Sequence, residues 1–292
     1  MIDVQLANVP IAFPLANRHI DNWLIQNIMK RVTLTFFVLS LAFIAESHEV
    51  WLQTKKFRFA VGDEASVSIL VGENFEGENW DLKKNKVEKL DLHHLAKTTD
   101  LKPFLKPEEK EKLKVKLAEE GTHMITLQSN YASIELDAEK FNAYLEEDGL
   151  ENVIEIRTKK NETGKPGKER YARFVKLLLQ AGSKLDDTFK KKAGLRVEIV
   201  PHQNPYKLKS GDYLQCTILV DGKPVPHQLV KVWNKINTTT FLQNAYTEND
   251  GTIKFPISTK GPWMVSTVKM ISSETPDAEW QSMWGSLVFG IE

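Results

Sequence analysis

Short runs of alternating hydrophobic and polar residues follow one another from residue 48 onward, separated by polar or glycine-containing breaks. Successive side chains of a strand point to opposite faces, so this alternation predicts half-buried strands. In the first half the runs are ASVSILVG, VEKLDLH, LKVKLAE, THMITLQ and YASIELD. Gly62, Gly72 and Gly121 stand in the breaks, where glycine supplies the positive φ of a tight connection. The spacing is typical of a β-sandwich.

One stretch, DAEKFNAYLEED at residues 137–148, changes to a helical period. Phe141, Tyr144 and Leu145 recur at helical spacing behind an aspartate that can cap the first turn. Gly149 follows as a stop signal. The pattern predicts one short helix.

The run ERYARFVKLLLQ returns to strand-like composition and carries a cation on each face, Arg173 on one and Lys176 on the other. Charged side chains are rarely buried unless they are paired. We therefore expect a strand that is partly buried with its charges paired.

The stretch DDTFKKK, followed by Gly194, marks the predicted boundary between two units. Beyond it lie the strand candidates GLRVEIVP, DYLQCTILV, HQLVKVWNK, TTFLQNAYT, TIKFPIS, PWMVSTVKM and GSLVFGI. Seven strands in about 100 residues is the density of an immunoglobulin-like or transthyretin-like sandwich. The predicted fold is therefore mainly β, with two β-sandwich units of immunoglobulin-like or transthyretin-like type. They are an N-terminal β-rich domain at residues 48–192, which contains the one short helix, and a C-terminal β-sandwich domain at residues 193–292.

Residues 29–47, MKRVTLTFFVLSLAFIAES, have the composition of a secretory signal peptide. Lys30 and Arg31 precede an apolar run, and small residues occupy the two positions that a signal peptidase recognises before its cleavage site. The run is shorter than the roughly 20 residues of a spanning helix, which makes a membrane anchor the weaker interpretation. Cleavage after Ser47 leaves His48 first, and residues 1–28 are interpreted as an upstream extension. We expect a periplasmic or secreted protein without a stable membrane span.

The charge balance excludes some classes of function. Lys and Arg together number 39, as do Asp and Glu, so the chain is formally neutral. Nucleic-acid-binding proteins usually carry a basic excess, and no such partner is expected. Cys216 stands in the run YLQCTILV, where a buried small hydrophobe is expected. Without a nucleophile elbow, an HExxH helix or a glycine-rich phosphate loop, the sequence predicts no catalytic residue and no enzymatic activity.

Five short motifs stand in an order that is similar to a known family. They are SHEVWLQ, GTHMITL, RYARFVK, the hairpins VDGKPVPHQLVKVWN with YTENDGTIKFPI, and EWQSMWGSLVF. In this order they resemble the DUF4198 family of periplasmic proteins, which is associated with nickel and cobalt uptake. The resemblance covers residues 48–292 and implies an exported, non-enzymatic accessory protein that is linked to a membrane metal-uptake system. The absence of a spanning helix after the signal argues against a permease subunit.

Histidine is the residue type that suggests a site, because six histidines follow residue 47. After cleavage, His48 would be able to chelate a transition metal ion through its α-amino group and its imidazole. We predict His123 as the second ligand because it opens THMITL after Gly121, on a strand that we expect beside HEVWL. Glu49 ranks below them as an oxygen ligand, since adjacent strand residues face opposite sides.

The other four histidines are expected to be ordinary residues. His93 and His94 point to opposite faces if the strand extends through them, and an exposed loop pair is the favoured interpretation. His202 lies in a proline-flanked turn and His227 begins a strand. Imidazole suits nickel, copper and zinc alike. Nickel or cobalt follows from the family resemblance, and copper and zinc stay open.

Aromatic residues support an alternative function, a carbohydrate- or protein-binding adhesion module of tandem β-sandwiches. The residues that would line such a face are Trp233, Trp263, Trp280, Trp284, Tyr206, Tyr213 and Tyr246. Core packing is the favoured interpretation, because a tryptophan on an alternating strand usually fills the space between sheets. Only Trp80 and Trp280 stand in polar surroundings that predict exposure.

Overall fold

The alternating runs form strands in the computed structural model, which describes residues 49–82, 87–109 and 112–292. These residues belong to one unit, Ser47–Glu292. The predicted upstream extension at residues 1–28, the signal peptide at residues 29–47 and His48 lie outside the described residues. None of the helices within the described ranges has the length and apolar character needed to cross a bilayer.

Strands occupy most of the described chain before residue 137. They are β1 (Glu49–Gln53), β2 (Arg58–Phe59), β3 (Glu64–Glu73), β4 (Glu76–Asn79), β5 (Val87–His94), β6 (Lys97–Asp100), β7 (Leu113–Lys116), β8 (Gly121–Ser129) and β9 (Ala132–Leu136). All five runs predicted in this half are strands.

Two helices follow β9, α1 (Ala138–Glu147) and α2 (Glu151–Lys159). The Asp137 side chain caps α1 by accepting a hydrogen bond from the Lys140 amide at 2.9 Å, and the apolar face of α1 is buried as predicted. The prediction of a single helix was wrong. Gly149 ends α1, but the chain turns and begins α2, whose run NVIEI looks strand-like because β-branched residues favour strands.

The remaining strands follow the helices. They are β10 (Gly167–Ala181), β11 (Val197–Pro201), β12 (Tyr213–Val220), β13 (Lys223–Pro224), β14 (Leu229–Ile236), β15 (Thr239–Tyr246), β16 (Thr252–Pro256), β17 (Gly261–Ser272) and β18 (Trp280–Ile291). All seven runs predicted beyond the boundary are strands.

The largest sheet has ten strands, in the order β15-β14-β17-β18-β10-β8-β5-β6, with β2 and β9 also paired to β10. One smaller sheet contains β1, β3, β4 and β7, and another contains β11, β12, β13 and β16. A single hydrophobic cluster takes residues from all three sheets, among them Trp51, Leu127 and Phe255. The predicted mainly β, sandwich-like fold is confirmed.

The ten-stranded sheet takes strands from both sides of the predicted domain boundary. Strand β10 pairs in parallel with β18, from Glu169 opposite Trp280 to Leu177 opposite Val288. Antiparallel strands can be joined by a short turn, whereas two parallel strands need a long crossover connection. The connection between β10 and β18 contains most of the second half of the chain. The division at residues 192 and 193 stays a prediction.

Arg173 and Lys176, the two cations on opposite faces of β10, are both buried. Lys176 is 1% exposed and its Nζ lies 2.7 Å from Oε1 of Glu198 on β11, so this pair is fully enclosed. Arg173 lies over the ring of Tyr171. Cys216 is buried as expected, and burial raises the pKa of its thiol.

The four C-terminal tryptophans fill the core. Trp233, Trp263, Trp280 and Trp284 are all buried, which confirms core packing and overturns the predicted exposure of Trp280. Trp280 is buried because β18 is covered along its whole length. Trp80 is half-buried.

Candidate functional site

A pocket of about 330 Å³ opens between the β5 and β6 edge of the large sheet and the β3 and β7 pair of the smaller sheet. His94 and His123 form part of its wall. Charged side chains around them include Lys97 and Glu119. The pocket therefore brings together two imidazoles and a carboxylate from distant parts of the sequence.

The pairing of β5 with β8 places the two histidines side by side. His93 lies opposite Met124 in this antiparallel register, so the next position sets His94 opposite His123 on the other face of the sheet. The two imidazole rings stack with their centroids 4.4 Å apart and an angle of 14° between their planes.

Backbone carbonyls fix the orientation of both rings. Nδ1 of His94 lies 3.1 Å from the carbonyl oxygen of Thr122, and Nδ1 of His123 lies 3.2 Å from that of Gly121. A carbonyl oxygen can only accept, so each Nδ1 must carry the proton of its hydrogen bond. In a neutral ring the lone pair is then on Nε2, the atom that a metal ion would bind.

Two carboxylates flank His94. Oε2 of Glu119 lies 3.6 Å from its Nε2, and Oδ2 of Asp186 lies 3.9 Å from its Nδ1. The Asp186 side chain is held in place because it accepts hydrogen bonds from the Thr122 and Thr188 amides at 2.9 and 2.8 Å. Glu119 is half-exposed, and its other oxygen lies 3.2 Å from Nζ of Lys97.

Gly121 permits this close packing. Its φ is 138°, and a Cβ there would lie 2.1 Å from Oδ2 of Asp186 and 2.8 Å from Cε1 of His94. Any side chain would push the carboxylate and the ring away. Glycine is required both for the backbone conformation and for the approach of the two side chains.

The electrostatics keep His123 ready to act as a ligand. Burial lowers the pKa of His123, and the neighbouring His94 lowers it further. A metal ion binds neutral imidazole, so a ring that is already unprotonated near neutral pH gives up no proton on binding.

The stacked arrangement is not itself a closed metal site. Over residues 49–82, 87–109 and 112–292, no group of three or more His, Cys, Asp or Glu side chains is arranged to hold a metal ion. The Nε2 lone pair lies in the plane of its ring, so two nearly parallel rings do not point at one ion. The rings must tilt toward each other before both can coordinate it.

A family model described as "Domain of unknown function (DUF4198)" matches residues 45–270. The chain belongs to the DUF4198 family. No curated protein matches the chain. This description assigns the family no function.

Several solved structures are remotely similar to this DUF4198 protein. The D0-D1 domain of Intimin has a TM-score of 0.21 at 11% identity, covering 82% of this chain and 96% of its own. A tetra-tandem repeat in the extending region of a large adhesion protein has a TM-score of 0.21 at 10% identity. The similarity covers 84% of this chain and 50% of the adhesion-protein chain. Escherichia coli alpha-2-macroglobulin activated by porcine elastase has a TM-score of 0.18 at 13% identity. The similarity covers 83% of this chain and 22% of the macroglobulin chain. Similarities this low carry no argument about function.

Of the two predicted metal ligands in this DUF4198 protein, the structure describes only His123. His48 lies outside the described residues, and its part in the site stays a prediction. The expectation that β8 lies beside β1 was wrong, because β1 pairs with β3 while β8 pairs with β5 and β10.

Glu49, the predicted oxygen ligand of lower rank, lies away from the pocket. It pairs with Gly72, whereas Glu64 at the other end of β3 lines the pocket. Eight residues of strand span roughly 25 Å. Glu49 instead accepts a hydrogen bond from Ser266 at 2.9 Å, and burial raises its pKa to about 7.

His94 is the site residue that the sequence interpretation missed. His93 and His94 do point to opposite faces, but they are not an exposed loop pair, because both lie in β5 and are buried. His93 is held by the Thr98 and Thr126 hydroxyls, each 3.0 Å away, and burial lowers its pKa to about 4. The alternation in the run VEKLDLHH could have indicated His94, because it places His94 on the same face of the strand as Leu92.

The two later histidines are exposed. The expectation that His227 begins a strand was wrong, because β14 begins at Leu229. His202 is held by the hydroxyl of Thr217 at 2.7 Å, and His227 lies in a turn with a φ of 53°.

Proposed function

We propose that this DUF4198 protein is an exported, non-enzymatic accessory protein that binds a first-row transition metal ion and serves nickel or cobalt uptake or handling. The observation that carries the proposal is the pair His94 and His123, whose Nδ1 atoms are both engaged by backbone carbonyls. Metal-binding histidines are commonly held in this way, with the second ring nitrogen free for the metal.

The proposed site needs both rings to leave the stacked arrangement. Each ring has to tilt before both Nε2 atoms can point at one ion, and Glu119 is near enough to His94 to add an oxygen ligand. Glu119 would leave its ion pair with Lys97, which is exposed and therefore weak. Two imidazoles and one carboxylate suit several divalent metals, so copper and zinc compete with nickel and cobalt.

Titration calorimetry with Ni²⁺, Co²⁺, Cu²⁺ and Zn²⁺ tests metal binding. His94→Ala and His123→Ala are each expected to weaken binding by about tenfold or more, because each removes a ligand. His202→Ala is the matched control, since it removes an exposed imidazole and should leave binding unchanged. If all three variants bind the metal as tightly as the parent protein, the ion is not held by His94 and His123. A variant with one extra residue before His48 tests the predicted N-terminal chelate in the same assay.

Export is the second part of the proposal, and it rests on the composition of residues 29–47. We expect the protein recovered from the periplasm or medium to begin at His48, as N-terminal sequencing would show. Recovery of the unprocessed chain in the cytoplasm would contradict export.

The alternative, a carbohydrate- or protein-binding adhesion module, is favoured by one surface. Strand β15 is an edge of the ten-stranded sheet, and it exposes Phe241, Leu242 and Tyr246. Exposed aromatic residues on a free strand edge are features of binding surfaces. A glycan array run beside the metal titration separates the two functions.

A further inference from the structure

We infer that the pocket beside His94 and His123 takes the metal as a complex with a small anionic organic chelator, such as a hydroxycarboxylate or an amino acid. This inference rests on the proposed function and names the form in which the metal arrives. Three features of the pocket carry it: its volume, the lysines at its mouth and its apolar wall.

The volume exceeds what a metal ion with water needs. The pocket holds about 330 Å³, whereas a water molecule takes roughly 30 Å³ in the liquid. Pockets that bind small organic molecules begin at about 300 Å³. An ion bound to the two rings, with a few waters, leaves room for a molecule of several carbon atoms.

The charges at the mouth favour an anion. Lys97, Lys114 and Lys116 line the pocket, and the acidic residues there are Glu64 and Glu119. Nζ of Lys97 lies 3.2 Å from Glu119, and that of Lys114 lies 4.0 Å from Glu64. Among the described residues Lys116 makes no ion pair. If Glu119 turns to the metal, Lys97 is also released, and the pocket then has two lysines without an ion-pair partner among the described residues.

The remaining wall is apolar and suits a carbon skeleton. Leu92, Leu101, Phe104 and Val115 contribute to it, and Phe104 is 61% exposed. Two imidazoles and one carboxylate leave coordination positions open on an ion that takes four to six ligands. A chelator fills those positions with carboxylate oxygens while its other carboxylates meet the lysines.

Equilibrium dialysis with radiolabelled nickel and radiolabelled citrate tests the inference on the processed protein. We expect both labels to be retained in equal amounts. Lys116→Gln should weaken retention of the complex by about fivefold, the effect of losing one partly exposed charge contact, and should leave binding of Ni²⁺ alone unchanged. Lys223→Gln is the matched control, an exposed lysine on β13 that does not line the pocket.

The outcomes separate the two proposals. Retention of nickel without citrate would overturn this inference and leave metal binding intact. Equal retention by Lys116→Gln and Lys223→Gln would also overturn it. Failure to retain nickel in either form would overturn the proposed function with it.

Discussion

Glu198→Ala is expected to lower the free energy of unfolding by about 3–5 kcal/mol, because it leaves the ammonium group of Lys176 buried without its carboxylate. Lys176 is 1% exposed. Its other contacts are the carbonyl oxygens of Lys191 and Ile199, at 3.3 and 3.2 Å. Glu198 also accepts hydrogen bonds from the Ala193 and Gly194 amides, which would lose their partner. Urea unfolding at neutral pH measures the change.

Two comparisons isolate the buried charge as the cause. The double variant Lys176→Met with Glu198→Leu should recover the part of the loss that comes from the unpaired charge, while the Ala193 and Gly194 amides still lack their acceptor. Glu155→Ala removes the partner of an exposed lysine on α2 and should change stability little. If Glu198→Ala loses no more free energy of unfolding than Glu155→Ala, the pair of Lys176 and Glu198 is not enclosed as described.

Glu169→Gln is expected to stabilise the protein above neutral pH and to have little effect near pH 5. Glu169 lies under α1, where one oxygen accepts hydrogen bonds from Ser282 and from Tyr144. Its Oε2 has no hydrogen-bond partner among the described residues. Burial raises the pKa of Glu169 to about 7 from an ordinary value of 4.5.

The direction in which stability changes with pH follows from proton binding to Glu169. Between about pH 4.5 and about pH 7 the folded state holds a proton on Glu169 that the unfolded state has lost, so stability falls as pH rises through this window. Above it the folded protein carries a desolvated carboxylate. A shift of this size corresponds to about 3 kcal/mol. Glutamine keeps an accepting oxygen and carries no charge.

Urea unfolding of the parent and of Glu169→Gln across this pH range measures the difference. Glu49, whose pKa is also raised to about 7, contributes a similar slope to both proteins and cancels in the comparison. A difference that stays constant with pH would contradict a buried, protonated Glu169.

Local patterns predicted the strands because alternation and turn residues are properties of neighbouring positions. The cap at Asp137 and the buried face of α1 were predictable for the same reason. Helix α2 was not, because its β-branched residues favour strands. Trp280 stood among polar residues, yet β18 carries it into the core.

The site depends on pairings that the sequence pattern does not contain. Alternation placed His93 and His94 on opposite faces, but only the register of β5 against β8 sets His94 beside His123. The same holds for β10 and β18, which pair across more than a hundred residues. Turn residues identify hairpins between adjacent strands and contain no information about such distant partners.

Anomalous X-ray scattering from crystals soaked in Ni²⁺ tests the central claim, that His94 and His123 together hold a transition metal. We predict one dominant nickel peak in the pocket, about 2 Å from Nε2 of both rings, with the rings tilted from the stacked arrangement. A dominant peak at His202 or His227, with no nickel between His94 and His123, would contradict it.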